Sequence, residues 1–267
     1  MKYWDKAWSL VKGCTPVSKA CDNCWLAAIE YRFYGESGHP CIMSNSEEEW
    51  ESEIDLVDNN RKFNGTILLC PDLLNMPLKI RKPTTFAIWS DLFHESVTDE
   101  FIDKAFEIIN LCCQHTFLIC TKRPERMAAW INREENFKFL ASTHKIYLGT
   151  TAENQEMADK HIPELLKCEP FKLFLSVEPM LGPINLENIC IETEKGDIRP
   201  WLDISQIICG CESGWHVRET KEEWVKNLKD QCLAAGVPLW VKQLKVNGKM
   251  VYNHELSIIN LEDLWKH

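Results

Sequence analysis

Short apolar runs recur along the chain, each ending in a polar tip and followed by a stretch with helical spacing. Residues 86–89 run into Ser90 and Asp91, 117–120 into Thr121, Lys122 and Arg123, and 146–148 into Gly149, Thr150 and Thr151. Residues 173–175 run into Ser176, Val177, Glu178 and Pro179, 207–209 into Gly210, Cys211 and Glu212, and 239–241 into Lys242 and Gln243. Apolar runs alternating with helices predict parallel strands joined by crossover helices. A further strand over 7–11 brings the count to about seven βα units, close to a complete or partial barrel.

The helices carry ordinary start signals. Thr98, Asp99 and Glu100 open an amphipathic run over 101–111, and Pro124, Glu125 and Arg126 open a helix carrying Met127 and Trp130. Trp224, Leu228 and Cys232 share one helical face. Two stretches break the rhythm: 44–58 is acidic and predicts a solvated surface helix, and 64–82 predicts an extended or hairpin insertion. The chain therefore reads as a single domain over 1–267 with a surface insertion around 40–82.

At 267 residues and 45% hydrophobic content, the chain can bury one sizeable core. It has no basic-then-apolar leader and no run near the roughly 20 apolar residues that cross a bilayer, which predicts a cytoplasmic protein without membrane contact. In that compartment the 13 cysteines are expected to be reduced and mostly buried. A net charge of -10 argues against a surface-wide footprint for duplex nucleic acid, while leaving room for a local basic pocket.

In parallel βα folds, ligands bind where loops converge at the carboxyl ends of the strands. Asp91, Lys122, Arg123, Glu153, Glu178, Glu212 and Lys242 are predicted on that face. Each alone is equally well read as a helix cap or solvated loop residue. Together they make a charged rim, with Glu178 and Glu212 the best single candidates for a ligand hydroxyl or ammonium group. Lys122, Arg123 and Lys242 suit an anionic group such as a phosphate, or else pair with Glu153, Glu178 or Glu212.

Cys14, Cys21 and Cys24 fall within one short run that opens on Gly13. Three thiolates on one loop suit an iron–sulfur cluster with one iron left open. They also suit a structural zinc closed by Cys41 or His39, and Cys21 with Cys24 could form a redox pair. The loop lies between the expected first strand and a helix starting near Trp25, at the same end as the polar tips.

These residues, with Ser90 to His94, Thr121 to Pro124, Ser176 to Pro179, Glu212 to Gly214, and Lys242 and Gln243, resemble the phage-associated three-Cys-motif family of the radical S-adenosylmethionine superfamily. The resemblance implies an α/β fold, a partial TIM-like (β/α) barrel of about six to seven parallel strands. It implies a [4Fe-4S] cluster on Cys14, Cys21 and Cys24, with S-adenosyl-L-methionine on the open iron. Trp25, Ser90, Asp91, Thr150, Glu153, Ser176, Glu178 and Glu212 are the candidate cofactor-binding residues, and Lys122, Arg123, Cys211 and Lys242 the candidate catalytic ones. A flavodoxin- or ferredoxin-like electron donor is implied, together with a nucleotide or phage-DNA thymine substrate undergoing isomerisation. The alternatives are a radical DNA-base repair lyase and a non-enzymatic zinc-binding adaptor. Three positions depart from the usual pattern: six residues separate Cys14 from Cys21, Trp25 stands where a tyrosine is frequent, and Cys211 where glycine is common.

Overall fold

A computed structural model of the chain describes residues 2–34, 39–45, 48–136, 145–168, 170–187, 189–192, 198–213, 217–252 and 254–265, with the backbone alone at 34, 39–45, 48–54, 199 and 262. The first elements are β1 (Lys6–Ala7), β2 (Val11–Lys12), α1 (Trp25–Tyr34), β3 (His39–Asn45), β4 (Glu48–Ile54), β5 (Leu68–Leu69) and β6 (Thr85–Ile88). Then follow α2 (Asp99–Leu111), β7 (Thr116–Thr121), α3 (Pro124–Ile131), β8 (Ile146–Thr151), α4 (Gln155–Leu166) and β9 (Lys172–Val177). The remainder comprises β10 (Cys190–Glu192), β11 (Ile198–Pro200), β12 (Ile204–Gly210), α5 (Glu222–Ala235), β13 (Leu239–Val246) and β14 (Lys249–Tyr252).

The architecture is mixed α/β around an eight-stranded sheet in the order β1-β6-β7-β8-β9-β12-β13-β14. Strands β1 to β13 of this sheet pair in parallel, and β14 returns antiparallel on β13. The order follows the sequence without a reversal, so every crossover repeats the same step. Among the described residues the sheet is not closed, and β1 and β14 are its edges.

Strand side chains alternate between two apolar layers, as the period of two requires. Phe86, Ile88, Phe117, Ile119, Ile146, Leu148, Leu173, Leu175, Ile207 and Leu239 face the large core shared with the helices. Ala87, Leu118, Tyr147, Phe174, Ile208 and Trp240 form the opposite layer, one from each of six successive strands. Burial on both faces explains why the runs are apolar throughout rather than alternating with polar residues. Tyr3, just before β1, packs edge-on against Trp240 of β13 at 5.4 Å, so the sheet curls until its first and last parallel strands share a neighbour. Trp265 packs against Tyr147 and Phe174 within the same layer.

Two expectations are corrected. The run over 7–11 is not one strand: β1 joins the main sheet, whereas β2 pairs antiparallel with β5 in a separate ribbon. Among the described residues of the acidic stretch over 44–58 there is no helix, because β3 and β4 pair antiparallel, with Asn45 opposite Glu48. Residues 64–82 hold the short β5 and two 3-10 turns. Among the described residues no helix is long and apolar enough to cross a membrane.

Candidate functional site

The carboxyl ends of the parallel strands open into a cavity of about 1120 Å³. Cys14, Cys21 and Cys24 line it from the loop before α1, beside Trp25 at the start of that helix. Ser90, Asp91, Lys122, Ser176, Glu178, Cys211, Glu212 and Lys242 line it from the strand ends. Arg123, Thr150 and Glu153 are not part of the lining. Thr150 is fully buried, and its hydroxyl donates to the Thr121 carbonyl at 2.8 Å, tying β8 to β7.

The cysteine loop is built on a buried apolar pad. Ala27, Leu56, Val57 and Phe63 cluster beneath it, with Cys14 and Cys24 packed against them. Part of the stretch read as a surface insertion therefore supports the loop from below. Gly13 has φ 81°, and a Cβ there would lie 1.9 Å from the Thr66 carbonyl oxygen. Only glycine fits both the left-handed backbone and this close approach. The Gly65 N–H donates to the Cys14 carbonyl at 3.2 Å, closing the base of the loop.

Several predicted ligand residues instead hold this loop. Arg123 is buried and donates to Asp91 Oδ2 at 2.7 Å, to Glu95 Oε2 at 2.5 Å and to the Thr15 carbonyl at 3.4 Å. Asp91 also accepts from the Thr121 hydroxyl at 2.5 Å. His94 accepts the Ser96 N–H on Nδ1, which leaves Nε2–H to donate to the Thr15 hydroxyl at 2.9 Å. Glu153 accepts the Ala20 N–H at 3.3 Å. Glu212 accepts from Asn23 Nδ2 at 3.0 Å and from the Arg218 N–H at 2.7 Å. Burial alone would raise the Glu212 carboxyl, but Arg218 and Asn23 outweigh it and hold it below the ordinary range.

The groups facing the cavity are fewer. Lys122 Nζ lies 3.6 Å from Cys21 Sγ and 3.4 Å from the Ser18 hydroxyl. Burial would push the Cys21 thiol up, yet the Lys122 ammonium and the Val17 N–H bring it below its usual value. Cys14 is pushed up to about 12 by burial and by the Asp91 charge, and burial also raises Cys24. Deeper in the cavity, Lys242 Nζ pairs with Glu178 Oε1 at 2.8 Å, and the Tyr3 hydroxyl donates to Glu178 Oε2 at 3.4 Å. Cys211 is buried with Sγ 3.6 Å from Met250 Sδ, and burial pushes its thiol up to about 11.

Trp89 Nε1, Ser90 Oγ, Thr151 Oγ1 and Glu153 Oε2 are buried without a hydrogen-bond partner. Since buried polar atoms are ordinarily paired, those at the cavity wall, Trp89, Ser90 and Thr151, mark where a polar ligand would be received. Tyr3, Trp89, Thr151, His94 and Arg218 were not among the sequence candidates. Trp89 ended a recognised apolar run and Thr151 the polar tip after another, and that position was the available signal. Tyr3 precedes any recognisable strand, and Arg218 belongs to no motif.

Every cysteine with a described side chain is a free thiol. Among the described residues no three His, Cys, Asp or Glu side chains converge closely enough to hold a single metal ion. His39 and Cys41, the candidate fourth zinc ligands, have side chains outside the described residues, and Gly214 of the Glu212 motif lies outside them altogether. The donor set is nonetheless soft and gathered on one cavity wall, with Lys122 beside Cys21, which fits a thiolate-held cluster in its chemistry.

The fold and its rim thus define an α/β protein that brings three thiols of one loop to the carboxyl ends of parallel strands. Residues 1–255 match the family described as "Protein of unknown function (DUF5131)", and the chain belongs to that family. No curated protein and no solved structure matches it.

Proposed function

We propose that this protein is a radical S-adenosylmethionine enzyme whose [4Fe-4S] cluster is held by Cys14, Cys21 and Cys24. The observation that carries this reading is the placement of those three thiols on one wall of the strand-end cavity. The sequential strand order and the curl that brings Tyr3 onto Trp240 favour a partial TIM-like barrel as the setting. When bound, the cluster and S-adenosylmethionine supply one-electron cleavage of a carbon–sulfur bond and a primary radical able to abstract hydrogen.

The chain's own residues do the rest. Lys122 offsets negative charge at Cys21. Trp25 presents an indole at the mouth, and Ser90, Thr151 and Trp89 Nε1 offer polar contacts to a bound molecule. Glu178 and Lys242 carry opposite charges deep in the cavity, where a substrate's polar group would meet them. Asp91, Arg123, Glu153 and Glu212 serve as supports for the cysteine loop rather than as ligands. The substrate class stays with the resemblance, a nucleotide or thymine base, and a flavodoxin- or ferredoxin-like carrier in the cytoplasm is the electron source.

Anaerobic reconstitution with iron and sulfide, then reduction with dithionite in the presence of S-adenosylmethionine, is expected to release 5'-deoxyadenosine. Cys14→Ala, Cys21→Ala and Cys24→Ala should each abolish it. An intact cluster without that product, or product from Cys21→Ala, overturns the proposal. Zinc without iron or acid-labile sulfide would favour the adaptor reading.

A further inference from the structure

We infer that Arg218, locked onto Glu212, is a positioning residue that fixes Cys21 and Cys24 from the β12 side of the cavity. Glu212 follows β12 and is 5% exposed, so its carboxylate has little access to water. It is saturated by the Arg218 backbone N–H, by Arg218 Nε at 2.8 Å and NH2, and by Asn23 Nδ2. The same guanidinium donates from NH2 to the Lys19 carbonyl at 2.9 Å, and NH1 lies 3.8 Å from Asp22 Oδ2. Lys19, Asp22 and Asn23 belong to the 3-10 turn Lys19–Asn23, which carries Cys21 and runs directly into Cys24. One planar fork therefore joins a strand end to both ends of the turn that displays two of the three thiols, across 199 residues of sequence.

Cys14 is held by separate means. Its neighbour Thr15 is gripped by His94 and Arg123, and its carbonyl by Gly65. The two parts of the loop are thus anchored separately, and loss of Arg218 loosens only the Lys19–Asn23 turn, which keeps the Glu153 bond to the Ala20 N–H and the pairing of Lys62 with Asp22. A lysine at this position would keep the charge but lose the fork, so it restores the anchorage in part.

The importance of this strap for catalysis rests on the proposed cluster reading; its effect on the thiols does not. The test is residue-resolved alkylation of the metal-free full-length chain with iodoacetamide, followed by peptide mass spectrometry. Arg218→Met is expected to raise labelling of Cys21 and Cys24 about tenfold, the scale of a lost charge-assisted hydrogen bond. Cys14 and the core thiols Cys209 and Cys232 should stay at wild-type rates, and Arg218→Lys should fall between. Should Arg218→Met not fold, Asn23→Ala and Arg218→Lys carry the same comparison. Equal acceleration at every cysteine, or none at Cys21 and Cys24 in a folded variant, overturns the inference. In reconstituted protein, the strap variants should also shift the cluster's electron paramagnetic resonance signal or reduction potential. If wild-type protein assembles no cluster while the labelling pattern holds, the strap stands and the cluster reading falls.

Discussion

Gly13 shows how one residue's backbone sets the height of the cysteine loop. Its φ of 81° costs a side chain about 1–3 kcal/mol through strain alone, and a Cβ would also overlap the Thr66 carbonyl. Gly248 has a similar φ of 76° but open space around it. Gly13→Ala is therefore expected to lower the thermal midpoint more than Gly248→Ala, each 1 kcal/mol being worth about 2–4 °C in a chain of this size. Equal shifts by calorimetry would mean that the clash is relieved by movement of 65–66. At this scale the sequence was legible in position more than in role. Asp91, Arg123, Glu153 and Glu212 do sit at strand ends, but each finds its partner within the protein. Sequence shows that a charge reaches the rim; which neighbour consumes it depends on loops arriving from far along the chain.

Among elements, the parallel strands were legible because burial on both faces leaves continuous apolar runs. The β3–β4 pair was obscured by its net charge, although Glu49, Glu51 and Glu53 alternate with Trp50, Ser52 and Ile54 at the period of a strand. The pad formed by Leu56, Val57 and Phe63 went unseen because these residues lie scattered among polar ones. Helix α4 supplies a pH-dependent tie. His161 is buried, its Nδ1 lies 2.7 Å from the Thr151 carbonyl, and burial holds its pKa below the ordinary 6.5. The unfolded chain takes up the proton more readily, so this stabilisation is present above pH 6.5 and is lost as pH falls through the folded-state value. Urea midpoints should drop from pH 7.5 to 5.5, and less steeply in His161→Gln. The slope should not vanish, since buried His94 is shifted in the same direction. Identical slopes in the two proteins would assign the dependence elsewhere.

For the whole molecule, the inner aromatic layer joins distant parts of the chain. Trp265 donates its indole N–H to the Tyr3 carbonyl at 2.9 Å and contacts Tyr147 and Phe174. Trp265→Ala should cost about 2–3 kcal/mol, below the range for a fully buried tryptophan because this ring is partly exposed. Chemical denaturation would detect that loss, and an unchanged midpoint would show that the layer does not need its last member. This closure also dictates an order of events on the ribosome. Tyr3 is made before β6 to β9, whereas Trp240 and Trp265 are still untranslated when those strands leave the exit tunnel. The nascent chain must carry its inner face unsealed while those strands emerge, and the aromatic layer is complete only after residue 265 has emerged.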